Sequence, residues 1–231
     1  LVCKLACDAF GPEKVHAVRM PSIYSSDESK TDALELHENL GCWDYEVPLD
    51  HKPILKELND RYSLYADQKN LVRWKLERSE YNEIADQNIQ ARLRDVFLMH
   101  FSNAFGAMPL STGNKTESAC GYYTHFDMNF SFAPIKDLYK YQVVQLAKRD
   151  SRIPKNVWSK APSAELAFGQ TDEDNLLPYN ILDHLVMAYV EESIGSFNLF
   201  REWCLINRPE HMRVDKEVLK EWLDSDQAPT E

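Results

Sequence analysis

Along the first half of the chain, apolar and polar positions switch between two periods. Residues 1–10 (LVCKLACDAF) put Leu1, Leu5 and Ala9 on one stripe of a helix that Gly11 stops. No N-cap or turn precedes this helix, which predicts a start upstream of Leu1. Residues 15–20 (VHAVRM) read as a buried strand ending at Pro21, and residues 22–30 (SIYSSDESK) as a polar loop rich in capping residues. A helix over 32–40 (DALELHENL) ends at Gly41, and residues 43–49 (WDYEVPL) carry the two-residue alternation of a second strand.

A helix is predicted over 51–67, whereas residues 71–83 carry no pattern that assigns them. The longest helical pattern runs from 83 to 105, with Ile89, Leu93, Phe97 and His100 or Phe101 as its apolar stripe and Gly106 as its end. Residues 107–110 read as a short strand that delivers the polar stretch 111–140 at its carboxyl end. Beyond Pro134 nearly everything is helical: about 136–148, 179–191, 193–207 and 215–223.

Strands alternating with helices predict an α/β fold: three α/β/α layers around a parallel, Rossmann-like sheet, with a helical carboxyl-terminal part. In such sheets ligands sit at the carboxyl ends of strands. The polar stretches 19–26 and 111–117 both fall there, so both are expected to face one cleft.

Composition narrows the function. With 44% hydrophobic and 11% aromatic residues in 231, the chain is that of a packed globular protein, long enough for one sizeable domain or two small ones. A formal net charge of -11 argues against a nucleic-acid partner, since a polyanion is met by a basic face. A small phosphorylated ligand needs only a few local cations. No apolar run approaches the roughly 20 residues that span a bilayer, so no membrane partner is expected. Cys3, Cys7, Cys42, Cys120 and Cys204 show no metal spacing, and Cys3 and Cys7, one helical turn apart, read as small buried thiols. An odd, scattered set suits a reducing compartment, and the expected location is the cytoplasm.

Within 111–140 (STGNKTESACGYYTHFDMNFSFAPIKDLYK) the polar groups are those that nucleotide chemistry needs. Thr112, Gly113 and Asn114 form a turn whose amides can face an anion. Glu117 can hold a hard cation, because Mg²⁺ takes one or two carboxylates beside phosphate oxygens. Lys140 can neutralise phosphate. Each residue also has a plain structural role open to it: Glu117 as a first-turn acid, Lys140 as a surface lysine, Ser163 as an N-cap. The same holds for Arg92 and Arg94 as a solvated helix face, for His125 and Asp127 as a local pair, and for His211 as a lone structural histidine.

Order and spacing decide between these roles. VRMPSIYSS, DQNIQARLR, STGNKTESACGYYT, FAPIKDLYK, IPKNVWSKAPSAEL and QTDEDNLLPY occur in the order in which the ammonia-dependent NAD synthetase family carries its signatures. The chain resembles that family over about residues 15–183. The family belongs to the N-type ATP pyrophosphatases. The resemblance implies a Mg²⁺-dependent ligase in which ATP activates the nicotinate carboxylate of deamido-NAD as an acyl-adenylate. Ammonia then gives NAD, AMP and pyrophosphate. Carried over by position, Thr112, Lys140 and Ser163 resemble ATP contacts and Glu117 a magnesium ligand. The segment 19–25, with Arg19, Met20 and Ser25, resembles the adenine and ribose wall. Arg92, His125, Asp127 and His211 resemble the deamido-NAD end. The family's dinucleotide pocket spans a subunit interface, which implies a homodimer.

The chain departs from that pattern in three places. The family's serine–glycine–glycine phosphate loop, carried just before the helix that here opens at Leu1, is not among the 231 residues. The expectation is therefore a single synthetase domain over 1–231 whose first strand and phosphate loop precede residue 1; a chain truly lacking them would be catalytically dead. The usual Tyr-Gly-Asp reads His125-Phe126-Asp127, and the usual His-Lys reads His211-Met212. Three alternatives stay open: the synthetase part of a glutamine-dependent NAD synthetase, a non-catalytic nucleotide-binding or dimerisation module, and a GMP-synthetase-like enzyme.

Overall fold

A computed structural model describes residues 1–66, 84–127, 132–204, 216–225 and 228. Helix α1 (Val2–Phe10) leads through a short 3-10 turn into strand β1 (His16–Arg19). Helix α2 (Asp27–Leu40) then returns the chain to strand β2 (Trp43–Glu46), which pairs in parallel with β1, His16 opposite Trp43 and Arg19 opposite Glu46. This is the strand–helix–strand unit that the alternation predicts, and the α/β class with a helical carboxyl-terminal part stands.

Local chemistry sets the boundaries. Helix α2 begins at Asp27, earlier than its apolar periodicity starts, because the Ser26 hydroxyl accepts the Ser29 amide at 3.1 Å. It ends where Gly41 adopts φ 69°, a left-handed cap with little cost only for glycine. Strand β2 stops at Glu46, short of the expected 49, since Pro48 has no amide for the ladder. The chain nevertheless stays alongside, with the Val47 amide on the Arg19 carbonyl and the Leu49 amide on that of Pro21.

Three expectations change. Strand β1 is half-buried with His16 exposed, not buried throughout. The strand expected over 107–110 is a single parallel bridge, Leu110 to Phe132. Helix α4 (Ile84–Phe105) does not bury its predicted stripe: Phe97 is exposed, and Gln90 and Ala91 face inward instead. Packing decides this, as the Gln90 side-chain amide donates to the Leu166 carbonyl at 3.0 Å.

Helix α3 (Lys52–Ala66) precedes α4, and after α4 come α5 (Lys115–Ala119), α6 (Lys140–Ala147), α7 (Lys155–Ser159), α8 (Tyr179–Val190), α9 (Phe197–Glu202) and α10 (Lys216–Leu223). One apolar cluster joins α8, α9 and α10 around Met187, Phe200, Leu219 and Trp222. A second joins α1 and α2 to the α6–α7 region through Cys7, Leu36, Leu40, Ala147 and Ile153. Among the described residues no helix is long and apolar enough to cross a membrane.

Candidate functional site

A cleft of about 1050 Å³ opens beside the carboxyl end of β1 and the segment that follows the Leu110 bridge. Arg19, Met20 and Ser25 form one wall, and Thr112, Glu117 and Lys140 another. Asp127 and Arg94 also line it. The two polar stretches expected to share a cleft therefore do.

Glu117 and Lys140 meet on its wall. Asn114 caps α5: its side-chain oxygen accepts the Glu117 amide, and the Glu117 Oε2 accepts the Asn114 amide, both at 3.0 Å. The remaining Oε1 takes the Lys140 Nζ at 3.2 Å. That ammonium also lies 5.0 Å from the centre of the Tyr179 ring, whose hydroxyl donates to the buried Asp172 at 2.8 Å. Of the three turn amides expected to face an anion, that of Asn114 is thus occupied, and Thr112 and Gly113 remain on the cleft wall.

Lys140 opens α6, later than residue 136, because groups from other elements receive its first amides. The Thr116 hydroxyl accepts the Lys140 amide at 3.1 Å, and the fully buried Asp183 on α8 accepts the Tyr141 amide at 2.8 Å. Thr116 donates in turn to Asp183 at 2.5 Å. A carboxylate at a helix start suits the helix dipole.

On the first wall, Arg19 is held by two carboxylates. It makes two bonds to Asp44, each 2.7 Å, and one to Glu46 at 2.6 Å. The guanidinium, with His37 at 2.6 Å, holds Asp44 down at about 2 despite its partial burial. Arg19 therefore offers a neutralised surface, which suits a base or ribose better than a phosphate. Ser163 lies in an adjoining pocket that shares Glu117 and Lys140 with the cleft. It caps no helix: its hydroxyl donates to the Gln170 carbonyl at 2.5 Å and accepts the Glu165 amide at 3.0 Å.

Sequence reading missed a second charged group here. Glu165, in the left-handed region at φ 49°, accepts the hydroxyls of Ser26 and Ser29 at 2.8 and 2.6 Å and the Lys160 ammonium at 3.3 Å. Three bonds hold this strained backbone in place. KAPSAEL carries the residues, but only the fold brings Ser26 and Ser29 to them.

The expected dinucleotide end is gathered less fully. Arg92 lies off the cleft lining and donates from Nε to the His125 carbonyl at 3.1 Å; Arg94 occupies the wall instead, its Nη2 on the Met20 carbonyl at 3.3 Å. The His125 side chain is exposed against Tyr123. His211 and Met212 lie outside the described residues. Asp127 lines the cleft, and its Oδ1 is buried with no hydrogen-bond partner among the described residues. Burial, with Asp95 nearby, pushes Asp127 up to about 6, against the pull of Arg94 and Arg92. A carboxyl raised by folding favours the folded state at low pH and loses that benefit as pH rises through about 4 to 6. Asp127→Asn is therefore expected to match the parent in urea midpoint at pH 4 and exceed it at pH 8. Equal midpoints at pH 8 would place Asp127 in water.

The donor set at Glu117 fits a hard cation. It offers one half-buried carboxylate on the cleft wall, with one oxygen taken by an amide and the other only by a displaceable ammonium.

Three comparisons bear on the chain. A family model described as NAD synthase matches residues 1–216. The glutamine-dependent NAD(+) synthetase of Aquifex aeolicus (strain VF5) is 44% identical over 207 residues, covering 87% of this chain and 34% of that protein. That of Thermotoga maritima is 39% identical over 201 residues, covering 84% and 33%. The chain thus spans about a third of the length of these relatives. Among solved structures, an NMN synthetase from Francisella tularensis superposes with a TM-score of 0.66 at 28% identity, covering 93% of this chain and 81% of that one. A glutamine-dependent NAD+ synthetase from Acinetobacter baumannii in complex with ADP gives 0.58 at 30%, covering 95% and 36%.

Proposed function

Because the chain belongs to the NAD synthase family, we propose that it amidates the nicotinate carboxylate of deamido-NAD with ammonia at the expense of ATP. The observation that carries this reading is the convergence of Thr112, Glu117 and Lys140 with Arg19, Met20 and Ser25 on one cleft. A carboxylate is a poor acyl donor until its oxygen becomes part of a good leaving group. Its oxygen attacks the α-phosphorus of ATP, and the bond to pyrophosphate breaks. Ammonia then attacks the acyl carbon, AMP departs, and the nitrogen gives up a proton to solvent.

The first step crowds a carboxylate against a triphosphate, so negative charge must be cancelled where it develops. Glu117 would hold Mg²⁺, which supplies charge neutralisation at the phosphate oxygens. Lys140, braced between Glu117 and Tyr179, directs its ammonium to the same place. The Thr112–Gly113 turn presents amides, and Ser163 borders the pocket next to them. The Arg19–Asp44–Glu46 group walls the adenosine, while Arg92, His125, Asp127 and His211 belong to the acceptor end. The exposed Phe97 and Phe105, about two turns apart on one side of α4, support a homodimer built on that helix. The 231 residues form a single synthetase domain in the cytoplasm, a setting that suits five free cysteines.

The relatives favour one nitrogen source. Both curated sequences at 39–44% identity are glutamine-dependent, which supports the synthetase part of such an enzyme, with ammonia as the species that reaches the cleft. The test is AMP release by the full-length protein from ATP and Mg²⁺ with ammonium or glutamine, with deamido-NAD present or withheld, or replaced by nicotinate mononucleotide. The expected result is AMP and NAD formed in step only with deamido-NAD. Release independent of the acceptor would overturn the assignment, ATP binding without turnover would favour a non-catalytic module, and preference for the mononucleotide would follow the likeness to NMN synthetase.

A further inference from the structure

The fold completes a cluster that spacing along the chain conceals. Cys3 and Cys7 on α1 meet Cys42, which sits in the turn between α2 and β2. The three sulfurs lie within 4.8 Å of one another, and Cys3 and Cys42 are 3.7 Å apart. A tetrahedral metal with bonds of about 2.3 Å to sulfur separates two thiolates by about 3.8 Å, so the cluster is close to ligating geometry already. Leu36, Leu40, Val15 and Trp158 surround it. Cys7 is buried while Cys3 and Cys42 are half-buried, which leaves a side from which an ion can enter.

We propose that Cys3, Cys7 and Cys42 form a trithiolate site for a soft divalent d¹⁰ cation of the zinc class, separate from the magnesium chemistry of the cleft. Soft thiolates in apolar surroundings select such ions over Mg²⁺. Binding exchanges three S–H protons, released to solvent, for three metal–sulfur bonds and leaves the site with a net charge of one minus. The fourth position is left for water. The site ties α1 to the α2–β2 turn across 39 residues, and an ion bound only in the folded state stabilises that state.

Cadmium alone is the probe, added to the reduced full chain while thiolate-to-metal charge-transfer absorption is followed. The expected band saturates at one equivalent with the intensity of three sulfur ligands, is competed away by zinc, and accompanies a rise in melting temperature. Cys3→Ser and Cys42→Ser, at half-buried positions that tolerate a hydroxyl, should each weaken cadmium at least tenfold, with circular dichroism confirming the fold. Cys120→Ser, outside the cluster, should leave the band unchanged. Parental cadmium affinity and band intensity in Cys42→Ser, a parental intensity of only one or two sulfurs, or no band in the folded parent overturns the proposal. None of these outcomes depends on the ligase reading, because ATP turnover is not measured.

Discussion

Glu117→Gln should lower turnover of deamido-NAD by about a hundredfold or more while the protein melts close to the parent temperature. The two halves of that result separate chemistry from architecture. Glutamine at the third helical position still accepts the Asn114 amide, so the cap of α5 survives. The ion pair with Lys140 is lost, but both side chains are 22% exposed, and such a pair contributes under about 1 kcal/mol. The charge that would hold Mg²⁺ against phosphate is lost as well, and preorganised groups of this kind contribute about 10²–10³ in rate. Raising the magnesium concentration should recover part of the rate if Glu117 is a ligand. Near-parental turnover would leave Glu117 as a cap and nothing more. Loss of rate and melting temperature together, with no response to magnesium, would make it an architectural residue.

Local signals made much of this site legible. The sequence around Asn114 and Glu117 reads as a turn followed by a first-turn acid, and the structure adds the reciprocal cap that sets Glu117 on the cleft wall. The polar loops after β1 and after Leu110 share a cleft because parallel strands deliver their carboxyl ends to one side. The misses are long-range. Arg94 rather than Arg92 faces the cleft because α4 is rotated to bury Gln90 and Ala91, and helical periodicity cannot fix that rotation when apolar residues lie on more than one face. Glu165 joins Ser26 across 139 positions, and Cys42 joins Cys3 across 39. Residue type and spacing carry no information on either encounter. The start of α6 at Lys140 rather than 136 has a long-range component too: beside the local Tyr139–Gln142 bond, its first amides are received by groups on α5 and α8.

That borrowed cap leads to the second large effect. Asp183 is fully buried and accepts from Thr116 and from the Tyr141 amide, while Thr116 accepts from Lys140. Asp183→Ala strands a hydroxyl and an amide in the interior, and unmet groups of this kind cost about 1–3 kcal/mol each, so a loss of about 3 kcal/mol in urea unfolding is expected. Thr116→Val, nearly equal in shape, should cost about 1–2 kcal/mol by removing the middle of the same chain of bonds. Because the two residues share partners, the double variant should be less destabilised than the sum of the singles. Both singles should also reduce kcat more than they raise KM for ATP, since the Lys140 backbone is what they hold. Strict additivity, or full turnover in Thr116→Val, would show that α6 keeps its start without them and that Lys140 reaches the phosphates from a helix anchored elsewhere.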